Sequence, residues 1–328
     1  MSSKLSEKSI LKRILVVSMT NIGDVVLSCP VIDILKSDFP DATIDVVVGP
    51  KAVSLFEDNP HLNIKMFDKR ASLKQRSAWF LDLSREHYDC VVDLRRTMLG
   101  LFLRPKYATP LMVLRKSKGM HKKDIHLNRL RQVYDFKSIP PQKYAIVTTK
   151  ADEQFFEQTV APFVQGNNLV VVAPGAADAR KRWTPKGFAA VADYLSATAK
   201  VVFVGDAKDA QIIKEIEGQM KSQALSLAGE INLRQLAFVL KKSSWVLAHD
   251  SGVMHLASYF NLPLVVLWGP TSIEKYAPWS GKSIVIRRNE QCPRCQDPQS
   301  SAEHNCMSLI RTEDVIDAIN RITNKVNQ

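Results

Sequence analysis

The chain has 328 residues, 45% of them hydrophobic, and a formal charge of +12. That length exceeds one ordinary core and suits two domains of roughly 150 residues, with apolar content typical of globular proteins. No stretch approaches the ~18 apolar residues of a membrane span; the polar opening and five cysteines read as a cytosolic enzyme in a reducing compartment, without a secretory leader.

Taken in chain order, Ile14-Leu15-Val16-Val17 predicts a buried parallel strand over 14–18. A turn at 19–24 leads to a helix over 25–37, which stops near Pro40. Strands are expected at 43–48, 64–67 and 90–94, with a short helix from 53 and a longer one over 73–86. Crossovers of ten or more residues argue for a parallel sheet with helices on both faces. A helix over 151–163 runs into the polar turn Gln165-Gly166-Asn167-Asn168. The expected domains are therefore 1–164 and 165–328, each α/β and Rossmann-like. The alternation restarts with strands at 169–173, 200–204, 245–248 and 264–267. Thr184-Pro185 signals the N-cap and first position of a helix to about 197. A helix is read over 208–220, and Asn232 with Gln235 forms a capping-box pattern opening another to about 241. A helix over 251–259 follows the third of these strands, and Thr312 caps a last one over 313–326.

Charge is unevenly placed. From Asp93 to Lys137 there are twelve Lys and Arg against three Asp, an excess of nine. Apolar runs at 98–103 and 111–114 lie in the same stretch. Basic and apolar residues together suit an anionic amphiphile or an anionic membrane surface, or else a solvated basic face over ordinary core. Nucleic acid is not expected: the stretch lacks an aromatic stacking pattern and carries no recognised binding motif. Cys29 and Cys90 read as small buried side chains. Cys292, Cys295, His304 and Cys306 form C-x2-C-x8-H-x-C. The separation of the second and third members is shorter than in common structural zinc sites. The preferred expectation is a turn-rich connector with free thiols and no metal, with a zinc knuckle as the alternative.

Two apolar strands end on an aspartate that opens a helix, Asp24 near the start and Asp250 later on. In open α/β sheets ligands bind beyond the carboxyl ends of strands, where helix N-termini present free N–H groups. Two such sites suggest two domains facing across a cleft, one holding an anionic donor and the other an acceptor. In the second half the loops at 173–183, 205–209 and 249–255 must converge. Asp250-Ser251-Gly252 begins a helix, Lys181 supplies a cation, and Asp209 suits ribose hydroxyls. Together they describe a nucleotide-diphosphate site with no required metal. Taken singly, Asp250 is equally a helix cap, Lys181 a solvated lysine and His255 a core histidine. No G-x-G-x-x-G opens either first strand and no G-x4-G-K-[ST] occurs, which argues against a dinucleotide dehydrogenase or a P-loop enzyme.

The order of several motifs resembles glycosyltransferase family 9, the ADP-heptose:lipopolysaccharide heptosyltransferases. They are Ile22-Gly23-Asp24-Val25-Val26-Leu27 with Pro30, Phe39-Pro40-Asp41-Ala42-Thr43-Ile44-Asp45, Pro174-Gly175 with Lys181-Arg182-Trp183, Asp250 through His255, Gly269-Pro270-Thr271, and Cys292-Pro293-Arg294-Cys295 with Cys306-Met307. The resemblance spans nearly the whole chain. It implies a GT-B fold and inverting transfer of heptose from ADP-heptose to the lipopolysaccharide inner core, without a cofactor, at the cytosolic face of the inner membrane. It implies that Asp24 is the general base, with a plain N-cap as the other reading, and that Lys181 neutralises charge on the leaving diphosphate. Gly175, Asp250, Ser251, Gly252 and His255 fall in the diphosphate motifs, Asp209 at the ribose and Ile231 near the adenine. Ala176 and Ala177 stand where some members carry hydroxyls. Arg95, Arg96, Lys116, Lys118 and His126 are expected contacts to the anionic acceptor. Two alternatives stay open: another nucleotide-sugar or glycan acceptor on the same scaffold, and a non-catalytic binding protein of paired Rossmann-like domains.

Overall fold

The computed structural model describes residues 5–6, 9–18, 20–111, 119–141, 143–297, 299 and 301–326, and it divides into two units, Met1–Val147 and Thr148–Gln328.

The first unit is built on five parallel strands: β1 (Arg13–Val17), β2 (Thr43–Val48), β3 (Leu62–Met66), β4 (Cys90–Asp93) and β5 (Tyr107–Ala108), in the order β3-β2-β1-β4-β5. Ile14 pairs with Ile44 on one side and Cys90 on the other. All but the first residue of β1 is buried, as expected for a strand covered on both faces. The helix expected over 25–37 is instead two, Ile22–Val26 and Cys29–Asp38. Pro30 near the start of the second has no N–H to continue the ladder. The Ser28 hydroxyl fills the break, donating to the Val25 carbonyl at 2.6 Å. Sequence reading did not find β5 or the helix Lys122–Arg131. The strand is two residues long, and the helix buries His126, Leu127, Arg129 and Leu130 behind a mostly polar composition.

The second unit has six parallel strands: β6 (Leu169–Ala173), β7 (Lys200–Phe203), β8 (Leu225–Ser226), β9 (Trp245–His249), β10 (Leu264–Trp268) and β11 (Ser283–Arg287), ordered β11-β10-β9-β6-β7-β8. Every residue of β6, β9 and β10 is buried. One continuous core joins them to Phe188 and Val191 of helix Pro185–Leu195 and to Val315, Ile319 and Ile322 of helix Thr312–Val326. The caps read from sequence are present: Thr184 accepts the Gly187 N–H at 3.1 Å, and Asn232 with Gln235 forms a reciprocal box.

The expected boundary at 164/165 is corrected to 147/148. The helical segment from Lys150 to Val164, with a π turn over Phe156–Val160, belongs to the second unit. Its Asp152 lies buried against the Arg234 guanidinium, with Nε at 2.8 and 3.0 Å from the two oxygens, and Phe156 packs on Phe238 at 5.6 Å. The polar turn at 165–168 is only the end of that helix, closed by Gln165 in the left-handed region at φ 51°.

Candidate active site

In the second unit the chain leaves β6 toward β7 and β8, and leaves β9 toward β10 and β11 on the other side. The topology therefore reverses between β6 and β9, and in open α/β sheets ligands bind beyond the carboxyl ends of the strands at such a reversal. Residues 174–183 and 250–252 follow those ends directly.

Local chemistry shapes the first of these loops. Asp178 caps the short turn Ala179–Lys181 by accepting the Arg180 N–H at 3.0 Å. The Arg180 guanidinium beside it holds the Asp178 carboxyl at a pKa of about 2. Arg182 folds the loop back, donating from Nε to the Ala176 carbonyl at 2.8 Å. Trp183 fastens its end: its backbone N–H donates to Nε2 of His249 at 3.0 Å and its indole N–H to the Ile310 carbonyl at 2.9 Å. Burial pushes the His249 pKa down to about 4. A ring that accepts at Nε2 is neutral with its proton on the other nitrogen.

The loop presents Lys181 to Asp250, Nζ to Oδ2 at 2.7 Å, and Nε2 of His255 stands 3.9 Å from the other carboxylate oxygen. His255 also stacks on Trp279 at 5.7 Å between centroids. Lys181, Asp250 and His255 are thus one cluster. An ionised carboxylate only accepts hydrogen bonds, so Asp250 orients the Lys181 ammonium, which keeps further N–H donors for a ligand. Ser251 is the N-cap of helix Gly252–Tyr259, yet its hydroxyl caps no N–H. The hydroxyl oxygen is buried and has no hydrogen-bond partner among the described residues. A cap hydroxyl left over beside first-turn N–H groups suits an anion.

Asp209 is half-buried one strand further out, beyond β7. Its carboxylate lies so close to Gly175 that a Cβ there would fall 2.1 Å from Cγ. Burial raises its pKa, opposed in part by the Asp206 N–H that donates to Oδ2 at 3.0 Å. Gly175 and Asp209 form a second contact pair. Ile231, half-buried after β8, immediately precedes the cap Asn232 at the same sheet edge.

In the first unit the topology reverses between β1 and β4. Asp24 is the third residue of helix Ile22–Val26, and Asn21 is the N-cap, which corrects the N-cap reading of Asp24. Its half-buried carboxylate accepts no hydrogen bond and makes no ion pair among the described residues. A cavity of about 680 Å³ opens beyond the strands, walled by Phe67, Trp79 and Phe80 and edged by Ser18, Thr20, Lys69, Arg76, Arg95 and Thr97. Apolar walls under a basic edge suit an amphiphilic anion.

Arg95 lies on that edge and Arg96 is exposed next to it, in the left-handed region at φ 58°. Lys116 and Lys118 lie outside the described residues. His126 is corrected: it is 1% exposed, and both ring nitrogens are buried without a partner among the described residues. Burial drives its pKa to about 3. It is a neutral histidine of the core. Arg129, four-fifths of a turn further along that helix, is also structural, donating to the carbonyls of Pro110 at 2.6 Å and Asp93 at 2.9 Å. Sequence reading missed His249, Trp183 and Arg182 as the residues that set the lysine loop. The tryptophan beside a capping threonine was the one local signal.

Residues 76–305 match the family model of glycosyltransferase family 9 (heptosyltransferase). Lipopolysaccharide heptosyltransferase 3 of Escherichia coli is 26% identical over 92% of the chain and 96% of its own length. Among solved structures, a family 9 glycosyl transferase from Veillonella parvula superposes with a TM-score of 0.77 at 23% identity, covering 96% of this chain and 97% of that one. The ADP-heptose lps heptosyltransferase II of Escherichia coli gives 0.76 at 22%, covering 96% and 100%.

Proposed function

Because the chain belongs to glycosyltransferase family 9, the heptosyltransferases, we propose that it moves a heptose from ADP-heptose onto the lipopolysaccharide inner core, with inversion at the anomeric carbon. The observation that carries this reading is the second unit's anion site. A lysine held by a buried aspartate, a leftover cap hydroxyl and a helix N-terminus meet at the reversal point of a parallel sheet.

In this reading the second unit holds the donor. Lys181, Ser251 and the first-turn N–H groups bind the diphosphate, Asp209 accepts from the ribose hydroxyls, and Ile231 borders the adenine. The first unit holds the acceptor, with its lipid-proximal sugars against the aromatic cavity and its phosphates at Arg95 and Arg96. Asp24 takes the proton of the acceptor hydroxyl as that oxygen attacks the anomeric carbon. The bond from that carbon to the diphosphate breaks on the opposite face, and ADP departs with its new negative charge beside Lys181. The carboxylate of Asp24 supports its role as base, since no fixed partner among the described residues occupies it. Met98, Leu101 and Phe102 are exposed next to Arg95, Arg96 and Arg104. That mixture supports contact with an anionic membrane surface, so we place the protein in the cytoplasm, peripheral to the inner membrane. No helix among the described residues is long and apolar enough to cross a membrane.

The test is incubation with ADP-heptose and a core acceptor that lacks the terminal heptose, read by mass spectrometry. One heptose gained by the acceptor with release of ADP is expected. ADP-heptose left intact while a UDP- or GDP-sugar is consumed would overturn the donor assignment. The contacts at ribose and diphosphate do not touch the sugar ring, so that comparison belongs in the experiment.

A further inference from the structure

The four-residue cluster C-x2-C-x8-H-x-C has no part in the chemistry above. The structure brings it together. The three sulfurs of Cys292, Cys295 and Cys306 and a ring nitrogen of His304 all lie within 4.8 Å of one another. Cys295 Sγ is 3.3 Å from Cys306 Sγ and 3.4 Å from Nδ1 of His304. The cysteines are free, and the sulfur spacing is well beyond the ~2.05 Å of a disulfide. Four ligands at about 2.0–2.3 Å around one zinc ion stand roughly 3.5–3.8 Å apart. With separations of 3.3 and 3.4 Å and none above 4.8 Å, the cluster is close to that size.

The surroundings fit the same ligand. Cys292 opens the short helix Pro293–Gln296, and the backbone N–H groups of Cys295 and Asn305 point at its sulfur. Such N–H donors accompany metal-bound thiolates and fix their orientation. From Gln296 to Asn305 every described residue is exposed except the half-buried His304. No apolar core holds this loop, while Cys292 and Cys306 at its two ends are buried. A cross-link does for such a segment what a core does elsewhere.

We propose that Cys292, Cys295, His304 and Cys306 form a structural zinc site. The short separation that favoured free thiols from sequence is no obstacle, because the exposed loop spans it. Three thiolates and one imidazole are soft and borderline ligands of the kind that select zinc, and four protein ligands leave no open coordination position for catalysis. The site also has something to hold in place. Immediately after Cys306, Met307 enters the core of the second unit and Ile310 accepts the indole N–H of Trp183 at 2.9 Å. A Cβ at Gly269 would stand 3.2 Å from the Met307 sulfur and 3.4 Å from Cα of Lys181, so the segment packs at the lysine loop itself. The ion therefore tethers the segment that seats that loop.

The experiment is metal analysis of the full chain purified under reducing conditions without a metal-affinity tag. The expected result is about one zinc per chain, lost in Cys295→Ser and retained in Cys90→Ser, whose thiol is buried elsewhere. If Cys295→Ser fails to fold, Co²⁺ exchange into the wild-type chain decides. Intense d–d bands of tetrahedral cobalt with a thiolate-to-cobalt charge-transfer band support the site. Sub-stoichiometric zinc together with octahedral cobalt spectra overturns it, and so does a disulfide between any two of these three cysteines under the same reducing conditions. Iron at full stoichiometry overturns the choice of ion. Chelation is expected to lower the unfolding temperature of the second unit, and an unchanged temperature after complete zinc removal contradicts the tether. None of these readouts depends on heptose transfer.

Discussion

Gly175→Ala isolates the jam between Gly175 and Asp209. An ideal Cβ would stand 2.1 Å from Cγ of Asp209, 2.2 Å from Oδ2 and 2.3 Å from Oδ1, where comfortable separations between nonbonded heavy atoms are about 3.5–4.0 Å. Asp209 has little room to retreat. Its Oδ2 is tied to the Asp206 N–H, and on the other side a Cβ at Gly205 would stand only 2.7 Å from Asp209 Cβ. The carboxylate must leave its rotamer and its hydrogen bond, or the backbone must shift. Those costs, about 0.5–1.5 kcal/mol each for rotamer and bond, fall within the ~1–3 kcal/mol of overpacking in general. We take about 2 kcal/mol, a fall in unfolding temperature of about 4–8 °C for a unit of this size. Gly175 is not among the positive-φ glycines, so the backbone itself accepts alanine. In an Asp209→Ala background the obstacle is gone, and Gly175→Ala becomes neutral or stabilising by up to ~1 kcal/mol through the unfolded chain. Thermal unfolding of the wild type, both single variants and the double variant gives the coupling, expected at about 2–3 kcal/mol. The donor KM is expected to rise in all three variants, because Asp209→Ala and the double variant lack the carboxylate proposed to meet the ribose and Gly175→Ala displaces it. Equal destabilisation by Gly175→Ala in both backgrounds would refute the packing argument.

Three further outcomes follow from the sites described. Asp24→Asn lowers kcat by roughly 10²–10⁴ while ADP binding by calorimetry stays at the wild-type value; unimpaired turnover removes Asp24 from the reaction. Lys181→Met weakens binding of the ADP-sugar and slows turnover together, about 10²–10³-fold in kcat/KM for a charge-stabilising donor, and unchanged kinetics would contradict its placement. His126→Leu changes the acid sensitivity of the first unit. With the folded pKa at about 3 and the unfolded one near ~6.5, the unfolded chain holds an extra proton between those values, so stability drops as pH falls through that window. The loss due to this histidine is about 2 kcal/mol between pH 6.5 and pH 5, and it disappears in the leucine variant. Acceptor kinetics stay unchanged in that variant; a raised acceptor KM would return His126 to the binding surface.

What was legible in the sequence was local. Thr184-Pro185 and Asn232 with Gln235 marked helix starts to the residue, because a cap is written within four positions of chain. The apolar runs of β1, β6, β9 and β10 stood out because strands buried on both faces carry no alternation. The shortest strands did not stand out: β5 and β8 have two residues each, too few for any periodicity. The split of the first long helix followed from Pro30, a local signal that was read past. Long-range relations were hidden altogether. Asp250 as the partner of Lys181 joins positions 69 apart, and the fit of Gly175 against Asp209 depends on how two neighbouring strands end. The burial of His126 was masked because its helix presents Lys122, Lys123, Asp124 and Arg131 along with its few apolar residues.

Trp183 is pinned at both its main chain and its ring, to His249 on one strand end and to Ile310 after the cysteine loop. Its indole also closes on Gly187, where a Cβ would come within 2.5 Å of the ring. A peptide stretch nailed down two positions from the ammonium of Lys181 has no freedom to swing as a flap. Whatever Lys181 meets is therefore met by a segment that stays in place, and any closing movement over it has to come from other parts of the chain.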